Sequence, residues 1–347
     1  MANSLPPAAL RLDIDREALA ANWRALDRLS GSARAGAAVK ADAYGVGARV
    51  VVPALWAAGC RDFFVTYARE AADIIDLVPP GSIALLHGLL NDTRAVWAHE
   101  LGVRPVINSL EQARRWLAVG GGLCDLMVDT GINRLGLPMA DLGDELIAKL
   151  DVDVLMSHLA SSDADVALNA VQLARWEEAR RAMPHRRASL ANSAGIMLGE
   201  AYHGDLTRPG LSLYGGIARA ELAGSIRQVA RPMAVIMQLR ELSAGDGVGY
   251  NSTFVASGPM RVGVIALGYA DGYLRCWSGK GAMLSQGRRL PVVGRVSMDM
   301  TVIDLAAAPE LREGDWVEAE YSLPEAAALS GLSQYELLTL LGQRFAR

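Results

Sequence analysis

The stretch Gly36–Ala58 of the 347-residue chain reads GAAVKADAYGVGARVVVPALWAA. It begins with a run of small and apolar residues that is typical of a buried strand, and it continues through a glycine-containing loop. It ends in an apolar-rich segment that is typical of a helix. The same order of strand, loop and helix recurs along the chain, so this stretch is interpreted as the first unit of an α/β domain.

Eight strands of this kind are predicted, and a helix-like segment follows each of the first seven. The alternation predicts a parallel sheet, and eight units favour a closed (β/α)8 barrel over an open doubly wound sheet. A helix over 194–201 is among the predicted connections. The predicted strands are 36–39, 63–67, 83–87, 105–108, 125–129, 152–158, 187–192 and 206–214.

The pattern changes after Tyr214-Gly215-Gly216 to longer strand-like runs without crossover helices. This predicts a (β/α)8 barrel over residues 8–225 and a mostly β domain over 226–347. The alternating segment at about 9–14 is predicted to be a strand. It belongs either to the barrel or to the second domain. The strands predicted there are 233–242, 261–267, 291–296, 301–305 and 315–321, with a helix over 334–344.

Composition excludes several classes of function. A net charge of −4 without basic runs argues against a nucleic-acid partner. No run approaches the ~20 apolar residues of a membrane span, and the first residues lack the pattern of a signal peptide, so a cytoplasmic location is expected. Three widely spaced cysteines and histidines without ligand spacing predict neither disulfides nor a metal site.

Lysine is scarce, because the chain holds 34 Lys plus Arg but only three lysines, Lys40, Lys149 and Lys280. Lys149 lies in a polar helix-like run and Lys280 lies between glycines, whereas Lys40 closes the first strand. A partly desolvated lysine can lose its proton and attack a carbonyl, which arginine cannot do. A surface lysine at a strand end is the alternative, and the scarcity of lysine favours the chemical role.

Further reactive side chains follow the predicted strands, and in a barrel those strand ends form one mouth. Asp129 and Arg134 follow the fifth strand, and His158 ends the sixth. Ser193, with the glycine turn that contains Gly210, indicates a phosphate site, although a serine here is also typical of a helix cap. Taken singly, His158 is slightly better explained as a core histidine. Together, His158 and the cation of Arg208 indicate a ligand that accepts their hydrogen bonds, such as a pyridine nitrogen or a substrate carboxylate.

Motifs along nearly the whole chain resemble those of the alanine racemase family. Their number and order make the resemblance specific. In the predicted barrel they are AVKADAYG (38–45), VDTGINRLG (128–136), SHLA (157–160), ANS (191–193), RPGL (208–211) and LYG (213–215), and in the β domain VGY (248–250), GYADGY (268–273) and GRVSMD (294–299).

The resemblance implies that pyridoxal 5′-phosphate is the cofactor and that Lys40 holds it covalently. Arg208 would face the pyridine nitrogen, with His158 behind it. Lys40 and Tyr250 would be the two catalytic bases, and Tyr250 would come from the second subunit of a homodimer. The residues implied to hold the phosphate are Tyr44, Ser193, Gly210, Leu211 and Tyr335; those implied to contact the substrate or narrow its entrance are Arg134, Tyr269 and Met298.

The implied reaction is the interconversion of L-alanine and D-alanine, either to supply D-alanine for peptidoglycan or for alanine catabolism. A racemase of broader specificity that accepts serine, a barrel-type amino-acid decarboxylase and a cofactor carrier without activity are the alternatives. One position departs from the family, because Met127 stands where a carbamate-forming lysine is common. A bound anion or a nearby carboxylate would then have to balance Arg134.

Overall fold

The computed structural model describes residues 6–347, which divide into two compact units. Residues Arg16–Arg227 form one of them, here called the barrel unit. The described residues up to Asp15 and the segment Gln228–Arg347 form the other, here called the C-terminal unit. The chain therefore starts in the C-terminal unit, builds the barrel unit and then returns.

Strand β1 (Leu10–Ile14) comes before the barrel unit, in which helices and strands alternate. Helix α1 shows why these segments fold, since its buried residues Leu19, Trp23 and Leu26 recur at the helical spacing of three to four. The elements are α1 (Arg16–Leu29), β2 (Arg34–Ala35), β3 (Ala37–Ala38), α2 (Lys40–Tyr44), α3 (Ala48–Ala58), β4 (Phe63–Val65), α4 (Ala68–Ala72), β5 (Ile83–Leu85), α5 (Asp92–Leu101), β6 (Arg104–Ile107), α6 (Leu110–Ala118), β7 (Leu123–Asp129), β8 (Leu137–Pro138), α7 (Glu145–Ala148), β9 (Asp151–Met156), α8 (Ala167–Ala182), β10 (Arg187–Ser189) and β11 (Leu206–Thr207).

The parallel strands close into a ring, which confirms the predicted barrel over the open sheet. They pair in the order β3-β4-β5-β6-β7-β9-β10, with the short β8 beside β7. Strand β11 pairs with β2. Strands β2 and β3 are separated by one residue and together form the first strand of the barrel. The last gap is bridged by backbone hydrogen bonds, such as the one from the Arg208 N–H to the Ala191 carbonyl at 2.8 Å.

Two predicted segments differ most from the structure in type or length. The helix over 194–201 is absent, and two 3-10 turns, Gly195–Leu198 and Glu200–Tyr202, take its place. Gly199 between them adopts a φ of +107°, which ends any regular helix there. The eighth strand ends at Thr207 instead of continuing to residue 214, because the chain turns at Gly210 into a 3-10 turn.

An ion cluster lies at the N-terminal ends of the barrel strands, the end opposite to Lys40. Arg104 contacts Asp62 at 3.0 Å and Asp153 at 2.9 Å, and lies 3.6 Å from the fully buried Asp125. Arg187 reaches the same Asp62 and Asp153. Above this cluster the interior is apolar and is formed by Phe64, Ala84, Val106, Met127, Val154, Met156 and Leu206.

The C-terminal unit is an antiparallel barrel. Strand β12 pairs on one side with β15 and on the other with β19, and the order β12-β15-β18-β17-β16-β19 closes on itself. Strand β1 adds to the first half of β12. The elements are β12 (Ala230–Leu242), β13 (Gly247–Val248), β14 (Phe254–Val255), β15 (Met260–Ile265), β16 (Ala282–Ser285), β17 (Arg288–Val293), β18 (Thr301–Asp304), β19 (Trp316–Ala319), α9 (Leu323–Ser330) and α10 (Gln334–Thr339).

Candidate active site

Lys40 lies two residues after the end of β3 and begins α2, a single turn whose following residues have left-handed instead of α-helical backbone. Ala41, Asp42, Ala43 and Tyr44 have φ angles of 53°, 52°, 54° and 57°. Left-handed conformation costs an L-residue roughly 1–2 kcal/mol, and none of the four is glycine. Four consecutive residues in this region therefore store strain that their surroundings must offset.

Hydrogen bonds from backbone N–H groups to two carboxylates hold this turn. Asp42 Oδ1 accepts the N–H of Ala48 at 2.7 Å, which fixes the exit of the turn into α3. Glu70 Oε1 accepts the N–H of Ala41 at 2.8 Å, and its Oε2 accepts the N–H of Thr66 at 2.6 Å. Sequence reasoning missed Glu70, because a glutamate in the first turn of a helix usually serves only that helix.

The surroundings of Lys40 favour its neutral amine. Burial lowers the pKa of Lys40, and the charges of Arg134 and Arg208 lower it further, while Glu70 opposes them. A lysine with a lowered pKa is a better nucleophile and base near neutral pH than a surface lysine.

A second cluster joins the loops after β10 and β11. Ser193 Oγ accepts the N–H groups of Gly210 at 2.9 Å and Ser212 at 3.3 Å. Ser212 Oγ is buried and has no hydrogen-bond partner among the described residues. A Cβ at position 210 would collide with the hydroxyl of Tyr44, so glycine is required there. Hydroxyls and N–H groups that converge in this way fit a phosphate.

The leucine of this cluster shapes the turn. Leu211 is buried and begins the 3-10 turn Leu211–Tyr214, so its own N–H belongs to the same turn as that of Ser212. The ring of Tyr214 packs on that of Tyr44 at a centroid distance of 5.0 Å, and its hydroxyl donates to the Ala38 carbonyl at 2.7 Å. The cluster is therefore tied to the strand that carries Lys40.

Arg208 is a buried cation that neutral groups surround. Its guanidinium donates to Ser189 Oγ and to the Ser157 carbonyl, and more weakly to the Leu190 carbonyl at 3.4 Å. Within the described part of the chain, no carboxylate lies within 4.0 Å of it. Burial lowers the pKa of Arg208 to about 10, which leaves it charged at neutral pH. Sequence reasoning missed both serines.

His158 is neutral in this environment. Burial lowers the pKa of His158 to about 3, and the charges of Arg208, Arg134 and Lys40 act in the same direction. Its carbonyl accepts Gln172 Nε2 at 3.0 Å, and the same nitrogen donates to Thr130 Oγ1 at 3.2 Å. Arg208 therefore carries the positive charge of this pair, and Gln172, which sequence reasoning also missed, fixes the loop.

Arg134 lies on the exposed loop after β7. Asp129 shapes this loop, since its Oδ1 accepts the N–H groups of Gly131 at 2.8 Å and Asn133 at 3.2 Å. No acidic side chain within residues 6–347 forms an ion pair with Arg134 at 4.0 Å or less. Met127 packs into the apolar barrel interior.

The remaining candidates belong to the C-terminal unit. Tyr250 is 67% exposed on the 3-10 turn Tyr250–Ser252. The segments that carry Tyr269 and Met298 are adjacent, because the N–H of Tyr269 donates to the Ser297 carbonyl and that of Ala270 to the Met298 carbonyl, both at 3.0 Å. Tyr335 lies on α10 and is 44% exposed.

Residues 6–347 contain neither a metal-binding cluster nor a membrane-spanning helix. No group of three or more His, Cys, Asp or Glu side chains is arranged to hold a metal ion. Within the same range, every helix is too short or too polar to cross a membrane.

Comparison with known proteins identifies the family. The model of the alanine racemase N-terminal domain matches residues 14–218, and that of the C-terminal domain matches residues 229–347. The chain belongs to the alanine racemase family. The alanine racemase of Methylobacterium nodulans is 41% identical over 97% of this chain and 95% of its own length. The biosynthetic alanine racemase of Agrobacterium fabrum is 40% identical over 98% and 93%.

Solved structures of the family share the fold. The alanine racemase of Bartonella henselae, which contains covalently bound pyridoxal phosphate, has a TM-score of 0.88 and 34% identity, with 98% of this chain and 99% of that chain covered. The biosynthetic alanine racemase of Pseudomonas aeruginosa has a TM-score of 0.85 and 35% identity, with the same coverage. The predicted fold and family are therefore confirmed.

Proposed function

We propose that this protein interconverts L-alanine and D-alanine with pyridoxal 5′-phosphate as its cofactor. The relatives at about 40% identity are named for this reaction, and one relative of known structure holds the cofactor covalently. The observation that carries the proposal is Lys40 itself. It is one of three lysines, its pKa is lowered, and it begins a strained turn. The same unit also contains a cluster of hydroxyl and N–H groups that fits a phosphate.

The residues of the barrel unit fit this cofactor. Lys40 supplies the amine for covalent attachment, and Ser193, Tyr44 and the Gly210–Leu211 backbone supply hydrogen bonds for a phosphate. The orphaned hydroxyl of Ser212 is a further donor. Arg208, whose neighbours are neutral acceptors, supplies a cation for the pyridine nitrogen. We assign Tyr335, with its exposed hydroxyl-bearing ring, to the phosphate as well.

Racemisation requires a base on each face of the substrate α-carbon. The bound cofactor makes the α-proton acidic enough for side chains to remove. We assign the free amine of Lys40 to one face and the partner subunit's Tyr250 to the other, and each returns a proton as the acid in the reverse direction.

Arg208 also bears on which reactions occur. A guanidinium remains protonated and does not transfer its proton, so Arg208 would leave the pyridine nitrogen unprotonated and the bound cofactor would withdraw electrons less strongly. This favours racemisation over transamination. A decarboxylase would be expected to carry an acidic residue as the partner of the pyridine nitrogen, where this chain carries Arg208. Within the described residues, no carboxylate pairs with Arg208.

We infer a homodimer with shared active sites. Its support is the 67% exposure of Tyr250, an unusual state for a catalytic tyrosine unless another chain covers it. Arg134 would bind the substrate carboxylate, and the adjacent Tyr269 and Met298 segments of the partner subunit would narrow the entrance. In the cytoplasm such an enzyme would supply D-alanine for peptidoglycan or serve alanine catabolism.

A chiral assay over a panel of L-amino acids tests the activity. We expect alanine to be racemised fastest, whereas a preference for serine would favour the broader racemase, and carbon dioxide release would favour a decarboxylase. Lys40→Ala and Lys40→Arg should lose the visible absorption band that borohydride removes from the wild type. Lys149→Arg is the matched control and should keep the band. A band retained in Lys40→Arg contradicts the assignment.

A further inference from the structure

Glu70 links the turn after Lys40 to the neighbouring barrel strand. One oxygen of its half-buried carboxylate accepts the Ala41 N–H at 2.8 Å. The other accepts the N–H of Thr66 at 2.6 Å, just beyond the end of β4, and that of Tyr67 at 3.4 Å. A single side chain on α4 therefore fixes the start of the left-handed turn against the end of the adjacent strand.

The position of the Ala41 bond gives it leverage over Lys40. Ala41 is the first left-handed residue, and its N–H is in the peptide bond that directly follows Lys40. The other hydrogen bonds of the turn begin further along, from Ala43 to the Val39 carbonyl and from Gly45 to the Ala41 carbonyl, both at 2.8 Å. Loss of the Glu70 contact would free the point where the strained backbone begins.

Glu70 is also the acidic group that acts on the Lys40 amine. Arg134, on the loop after β7, and Arg208, after β11, both disfavour an ammonium at Lys40, and burial disfavours it most. His158 and His87 face it from the loops after β9 and β5 and are uncharged at neutral pH, since burial lowers the pKa of each. Glu70 alone among these groups favours the protonated amine.

We propose that Glu70 is the positioning residue of Lys40. Its carboxylate orients Lys40 through the Ala41 N–H, and it supplies the negative charge that lets the Lys40 amine accept a proton. The proposal rests on the assignment of Lys40 as cofactor lysine and base. It explains how an amine among two arginines takes up a substrate proton, because Glu70 offsets part of their repulsion. It also explains how a turn of four strained residues keeps one geometry.

The three lysines allow a direct test on the full chain. Reductive methylation with 13C-formaldehyde after removal of the cofactor gives separate NMR signals for Lys40, Lys149 and Lys280, and Lys40→Arg assigns the first. In Glu70→Gln we expect the titration midpoint of Lys40 to move to lower pH while the other two stay fixed. In the holoenzyme, kcat/KM should fall by about 10- to 100-fold, as expected for a misplaced catalytic group.

Two further variants separate charge from position. Glu70→Asp keeps the charge but is one methylene shorter, so the Lys40 midpoint should stay near the wild type while kcat/KM falls. Glu177→Gln removes an exposed carboxylate on α8 and should change neither quantity. An unmoved Lys40 midpoint in Glu70→Gln, or full activity in Glu70→Asp, overturns the proposal. Failure of the proposed function would instead appear as covalent cofactor retained in Lys40→Ala.

Discussion

The hydroxyl of Tyr44 lies against Gly210, in the space that any larger residue would need for its Cβ atom. Because Tyr44 belongs to the left-handed turn after Lys40, a side chain at position 210 would displace both this turn and the cluster formed by Ser193, Gly210 and Ser212. The two loops therefore pack against each other only because residue 210 has no Cβ atom.

Gly210→Ala should weaken cofactor binding by roughly 10-fold or more, because the loss of one or two hydrogen bonds to a charged group costs about 1.5–3 kcal/mol each. Titration of the cofactor-free protein with pyridoxal 5′-phosphate, followed by visible absorbance, measures this. Gly224→Ala is the control, since a Cβ there would meet nothing within 4 Å. Equal affinities in the two variants would contradict a close fit at Gly210.

Arg208 should control the ratio of two reactions. Arg208→Lys keeps a cation and should retain partial racemase activity. Arg208→Glu should protonate the pyridine nitrogen and raise transamination relative to racemisation, and it should also lower stability because the Ser157 and Leu190 carbonyls lose their donor. The ratio of pyruvate formed to alanine racemised measures the effect. An unchanged ratio would mean that Arg208 does not face the ring.

Arg134 should make the activity responsive to chloride. It lacks an ion-pair partner within the described residues, and the buried Met127 cannot form a carbamate. Chloride should therefore raise activity at constant ionic strength, while bicarbonate should have no effect. Sulfate is the matched salt control. A dependence on bicarbonate would show that Lys149 or Lys280 supplies a carbamate instead.

Asp125 should make stability depend on pH. Burial raises the pKa of Asp125 to about 6, against an ordinary value of ~3.9, so the folded protein binds the extra proton. This stabilisation is complete below about pH 4 and is lost as the pH rises through about 6. Asp62 acts outside this window. Although burial opposes it, Arg187 and Arg104 lower the pKa of Asp62, so its stabilisation is lost only as the pH falls below about 4.

Urea unfolding of Asp125→Asn between pH 4.5 and 7 tests this dependence. The variant should gain stability relative to the wild type as the pH rises, because it carries no buried charge. Asp151→Asn, at an exposed ion pair near the start of β9, should run parallel to the wild type. Parallel curves for Asp125→Asn as well would contradict the raised pKa.

The proposed shared-site dimer predicts complementation between inactive proteins. Lys40→Ala and Tyr250→Phe should each be nearly inactive, because every site in either homodimer lacks one base. After subunit exchange at equal amounts, half of the dimers carry one intact site, so about a quarter of the wild-type activity should return. Two Lys40→Ala preparations mixed together are the control and should stay inactive. Confirmed heterodimers without activity would exclude the partner subunit's Tyr250 as the second base.

Sequence patterns were sufficient for the barrel and for the position of Lys40, because alternating strands and helices and reactive residues at strand ends follow from local periodicity. They were insufficient where long-range contacts decide the backbone. The left-handed conformation at Ala41–Tyr44 carries no glycine signal and depends on Glu70, which lies 29 positions after Ala41. The expected helix after Ser193 failed because Gly199 takes a φ that no helix accommodates.

The placement of β1 has a consequence for the order of folding. Leu12 pairs with Pro232 on β12, and its N–H also donates to the carbonyl of Ala346 at 2.8 Å. During synthesis β1 can pair with β12 only after the whole barrel unit has been made, and it can contact Ala346 only after nearly all of the C-terminal unit has been made. The barrel unit is able to fold first from contacts within Arg16–Arg227, whereas β1 meets its later partner only after Ala346 has left the ribosome.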